Sequence, residues 1–188
     1  MKKVLAIALA LIMLFSFAAC AGTTPNGGNG DGGNDTPNNA QINTVDMSKY
    51  PADFNAWSGQ NFVDYFTEAG VFTEGSGLET WLQDHPDYWV NTPVNECAGY
   101  WDDAGKILIM IFTFDETLSD TTPEDVAAMK DYIKENHKLP DDYQSMPIDH
   151  MAGNAAFSFT YTTDDDVYNM AEAAYNNLVT ALGVTADF

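Results

Sequence analysis

Between Lys106 and Asp115 the chain reads Ile-Leu-Ile-Met-Ile-Phe-Thr-Phe, with no charge from 107 to 114. The run is too short for a typical buried helix and rich in β-branched and aromatic residues, and the turn signal Asp102-Asp-Ala-Gly105 precedes it. Those features predict a strand at the centre of a sheet. Alternation places Ile107, Ile109, Ile111 and Thr113 on one face and Leu108, Met110, Phe112 and Phe114 on the other. Both faces are apolar, so a layer must cover each.

The flanking segments supply those layers. Ser58 fits the N-cap of a helix running to about Ala69, with Phe62, Val63, Phe66 and Ala69 on its inner face. Gly70 suits the left-handed position after that helix, with Val71 and Phe72 folding back. Ser76-Gly-Leu-Glu79 has capping-box spacing and predicts a short second helix containing Trp81 and Leu82, stopped by Pro86. Tyr88 to Asn95 gives no clear signal beyond Pro93, which disfavours a central strand. Glu96 to Trp101 reads as a strand that pairs with the central one as a hairpin. Thr122-Pro-Glu-Asp125 opens a further helix, whose inner face is Val126, Met129, Ile133 and His137. Ala155 to Thr162 alternates as a strand with one wet face, nearer an edge. Thr163 with Asp164, Asp165 and Asp166 starts a last helix that ends at Gly183. The expected fold is α+β: a small, mostly antiparallel sheet, made of a hairpin plus one or more further strands and covered by helices.

The N-terminal part has a different character. Lys2 and Lys3 precede the apolar run Val4–Phe15, and Phe17-Ala-Ala leads into Cys20, the pattern of a secretion signal. Ala18, Ala19 and Cys20 resemble the lipobox of bacterial lipoproteins. The resemblance covers only this segment. It implies cleavage after residue 19, a diacylated (palmitate-bearing) Cys20 and anchorage at the extracellular face of the cell membrane. Residues 20–48, rich in Gly, Asn, Thr and Pro, read as a flexible linker of the length that suits a Gram-positive surface, and 49–188 as one α+β domain. Gly27-Gly28-Asn29-Gly30-Asp31 occurs once and lacks the apolar position of a calcium-binding repeat, so it belongs to the linker.

Charge narrows the partners. The formal net charge is −21, from 28 acidic residues against 7 lysines and no arginine. Such a surface repels nucleic acid and anionic headgroups and lacks the side chain best suited to bidentate phosphate recognition.

Residues that carry chemistry are sparse. With Cys20 lipidated, Cys97 has no disulfide partner, and Glu96, Asp102 and Asp103 surround it with charge of the wrong sign for a reactive thiolate. His85, His137 and His150 lie at no metal-ligand spacing. The acidic pairs fall at turns and helix starts without the ligand order of a calcium loop. No catalytic residue, metal site or cofactor is expected. The remaining enrichment is aromatic: Trp81, Tyr88, Trp89, Tyr100 and Trp101, interleaved with Asp84, Asp87, Asn91, Asn95 and Asp102. Flat apolar faces beside short polar groups suit a neutral glycan or a peptide, and equally the cap of a small core. The reading is a lipid-anchored, cell-surface, non-catalytic binding or interaction domain for a neutral glycan or a protein partner. The alternatives are a small envelope hydrolase using carboxylates and a purely structural or inhibitory envelope partner.

Overall fold

The run 107–114 becomes the middle strand of a five-stranded antiparallel sheet in the computed structural model. The structure describes residues 41–73, 78–84, 93–102, 105–115, 122–140 and 145–188, all within one of two compact units, Thr36–Phe188. Residues 1–40, expected as a signal and most of a linker, lie outside them. The strands are β1 (Leu78–Asp84), β2 (Val94–Asp102), β3 (Leu108–Phe114), β4 (His150–Ala152) and β5 (Ala155–Ser158), in the order β1-β2-β3-β5-β4. The helices are α1 (Gly59–Glu68), α2 (Pro123–Asn136) and α3 (Asp165–Leu182). The fold is α+β, with helices on both sheet faces.

Alternation along β3 divides the interior in two. Ile107, Ile109 and Ile111 join Phe62 and Phe66 of α1, Phe157 of β5, and Ala171, Ala174 and Tyr175 of α3. Met110, Phe112 and Phe114 join Val126, Met129 and Ile133 of α2. Ile42, Val45 and Met47, ahead of Tyr50, also pack against the first of these cores.

The caps follow local chemistry. Ser58 and Asn61 form a reciprocal capping box on α1, as Thr122 and Asp125 do on α2 with Pro123 in its first turn. Gly70, at φ +85°, reverses the chain after α1, and Val71 and Phe72 fold back as buried contacts. Glu96 adds a partner from β2: its carboxylate accepts from the Gly59 N–H at the first turn of α1 and from Thr113 Oγ1 at 3.3 Å. An anion there satisfies an orphan donor and complements the helix dipole.

Three expectations are corrected. Residues 78–84, expected as a helix, pair along their whole length with β2, Trp81 opposite Gly99 and Leu82 opposite Ala98. The strand expected over 155–162 stops at Ser158 and has no wet face, because α2 covers the side that carries Ala156 and Ser158 is itself buried. His137 is not an inner-face residue. The helix ends at Asn136, and His137 turns into the left-handed region (φ 53°), exposed and with its ring 4.1 Å from that of Phe188.

The β4–β5 hairpin turns through Gly153 and Asn154, with Gly153 at φ +51° against Phe54 and Asn55. A Cβ at 153 would lie 2.5 Å from Asn55 Oδ1 and 2.9 Å from Phe54 Cδ1. Gly153→Ala is therefore expected to cost about 1–2 kcal/mol from backbone conformation, plus the shift of Asn55. Urea denaturation measures it; an unchanged midpoint would mean that the turn relaxes freely. Beyond α3 the chain crosses to the far side of β4. Ala186 bridges Ala152, the Asp187 N–H donates to Met151 O at 2.7 Å, and Lys134 of α2 holds Asp187 at 2.9 Å.

Candidate functional site

The β1–β2 hairpin sorts the aromatic residues. Opposed residues in antiparallel strands share a face, and neighbours along one strand alternate. Tyr100 faces the α1 side and is a core residue, 1 % exposed. Its ring stacks on Phe72 at 4.7 Å. Its hydroxyl donates to Thr73 O at 2.6 Å and accepts from Thr73 N–H at 2.9 Å, with Thr73 Oγ1 3.1 Å away. It has no surface left for a ligand, which removes it from the platform expected over 81–101.

Trp101 points the other way, to the α2 side, and is half-buried. It pairs with Glu79 in β1 and Leu108 in β3. The buried cluster beneath α2 includes Cys97 and Met110, and Leu108 lies at its margin. Trp101 lies outside that buried cluster, half-buried, with its indole Nε1 covered. Register places position 81 on the same face, diagonal to Trp101 and directly opposite Gly99, while position 79 lies directly opposite Trp101. Tyr88 and Trp89 lie outside the described residues. The hairpin thus puts two of the five aromatic positions on one face and sends Tyr100 to the other.

Cys97 is fully buried, and burial pushes its thiol well above the usual range. It is a small core residue, not a nucleophile. The histidines differ. His85 lies outside the described residues. His150 Nε2 lies 2.7 Å from Glu172 Oε1, and its ring stacks on Tyr175 at 4.3 Å. Glu172 also binds Tyr168, one turn back on α3. Burial, then Glu172 and Asp149, push the Tyr168 phenol to about 12. Asp149 in turn accepts from the Phe159 N–H at 2.5 Å and the Thr160 N–H at 2.8 Å. This cluster ties α3 to β4 with its polar groups turned on one another. No sequence signal links His150 to Glu172. Only the i, i+4 relation of Tyr168 and Glu172 was open to inspection.

Among the described residues, no three His, Cys, Asp or Glu side chains converge as a metal site. No described helix is long and apolar enough to cross a membrane. Comparisons with protein-family models, with curated proteins and with solved structures return no match.

Proposed function

We propose that this chain is a lipid-anchored, non-catalytic binding module at the extracellular face of a bacterial cell membrane. It is held there through Cys20 and takes a neutral glycan or a peptide on the sheet face bearing positions 81 and 101. The observation that carries this reading is the hairpin register: Trp101, half-buried and outside the buried α2-side cluster, lies diagonal to position 81. Two aromatic positions on one sheet face, with Gly99 leaving the spot opposite position 81 bare, suit stacking against a flat apolar ligand surface. The net charge of −21 disfavours anionic ligands and nucleic acid.

The test combines a neutral-glycan array and a cell-wall pull-down with thermal melts of Trp81→Ala, Trp89→Ala and Trp101→Ala. Trp101→Ala is expected to weaken binding at least about tenfold, with a smaller loss of Tm than a fully buried aromatic would give, and parent binding should depend little on salt. Tyr100→Phe provides the contrast. It strips Thr73 of its partner and should cost about 1–3 kcal/mol of stability without affecting binding. If the parent binds nothing and all three tryptophan variants are destabilised, these side chains only pack.

A further inference from the structure

A cleft of about 380 Å³ opens on the opposite side of the molecule, between the segment Lys49–Tyr50 and α1. Its walls are Lys49, Tyr50, Asn61, Asp64, Thr67 and Glu68. We propose that this cleft binds one neutral, hydroxyl-rich sugar unit; the proposal rests on the glycan reading above and gives it a second site.

The volume falls in the range of small-molecule sites. The helix repeat explains the polar wall. Phe62, Val63, Tyr65 and Phe66 turn inward, which leaves Asn61, Asp64 and Glu68 along the outer stripe, with Thr67 beside them. Glu68 is the positioning residue. Its Oε1 accepts from Lys49 Nζ at 2.9 Å and from the Asp46 N–H at 3.4 Å, while Oε2 accepts from the Tyr50 hydroxyl at 3.3 Å. These bonds fasten the N-terminal segment to the helix and neutralise Lys49 in place. The Tyr50 ring is held rigid by stacking on Trp57 at 5.0 Å and by the edge of Tyr65 at 6.0 Å.

The remaining wall groups alternate donors with acceptors. Asn61 Oδ1 is used by the Ser58 N–H and hydroxyl, which leaves the two amide N–H donors of this cleft-lining residue for a ligand. Asp64 spends Oδ1 on Gln60 at 2.7 Å and keeps Oδ2. Thr67 Oγ1 donates to Val63 O at 2.7 Å and keeps its lone pairs. Lys49 retains further N–H donors after its bond to Glu68. Vicinal hydroxyls, each one donor and two acceptors, match such a rim, and the C–H face of a pyranose ring matches Tyr50. An anion would meet Asp64 and the chain's net negative charge.

The experiment titrates the domain with glucose, galactose, mannose and N-acetylglucosamine, following backbone amide shifts by NMR, and repeats this with Asn61→Ala, Asp64→Ala and Trp101→Ala. Shifts should centre on residues 49–50 and 61–68. Asp64→Ala should weaken cleft binding about tenfold with a melt close to the parent, Asn61→Ala should weaken it too but melt lower because it also breaks the α1 capping box, and Trp101→Ala should remove only shifts at the β1–β2 hairpin. Sugar shifts centred on the β1–β2 hairpin and lost only in Trp101→Ala would overturn the cleft and leave the platform standing. No shifts with any sugar, together with an empty glycan array, would overturn both. Spermidine shifting 61–68 where sugars do not would replace the neutral ligand by a cation and sink the proposal.

Discussion

Ile109→Ala is expected to cost about 2–5 kcal/mol and Phe112→Ala about 3–5 kcal/mol, although the two residues are only three positions apart on one strand. Each is fully buried in a different core. Ile109 packs among α1 and α3 residues, Phe112 among those of α2. Truncation leaves a cavity that the surrounding layers fill only in part. The double variant should approach the whole stability of a domain of this size, about 5–15 kcal/mol, and unfold. Urea denaturation of the three variants measures both effects. A loss below about 1 kcal/mol at either single site would contradict two-sided burial of the sheet.

The other large effect is all-or-none. Under the lipoprotein reading, Cys20→Ser removes the thiol that carries the acyl chains. The variant is expected to lack the lipid mass and to appear in the soluble fraction, while the parent stays with membranes. The acidic domain supplies no electrostatic substitute, since anionic headgroups repel it. Mass spectrometry and membrane partitioning read the two consequences separately. Identical partitioning of parent and variant would end the anchor assignment.

What was legible depended on whether the signal was local. Caps and apolar periodicity are local, so α1, α2 and α3 were visible, and so was the two-faced strand 107–114. Residues 78–84 were misread because Ser76-Gly-Leu-Glu79 satisfies the spacing of a helix start. Pairing with β2, a partner some twenty positions away in sequence, overrides it. β4 escaped notice because His150–Ala152 is too short to show a period, although the Gly153-Asn154 turn that makes it a strand could have been read. His137 matched the inner face by arithmetic, but the helix stops one residue earlier. The aromatic cluster showed composition and not direction. That Tyr100 and Trp101 part was implied by the strand read over 96–101, but which of the two turned to the α1 side depended on the layers above the sheet. The cleft beside α1 was invisible for a similar reason, since Lys49 and Glu68 meet only once the fold brings them within 2.9 Å.

The strap at 186–188 governs how far the sheet can grow on its β4 side. β4 is a terminal strand of only three residues, and Ala186 and Asp187 already bond to its outer side, with Lys134 and His137 of the α2 region gripping the residues beyond the bridge. Unsatisfied strand edges are templates for pairing between molecules. Proteolytic trimming behind Thr185 would uncover the Met151 carbonyl that Asp187 now occupies and turn a closed border into an adhesive one. A fusion joined at this end must leave those three residues seated, or self-association of the trimmed edge would be mistaken for a property of the domain.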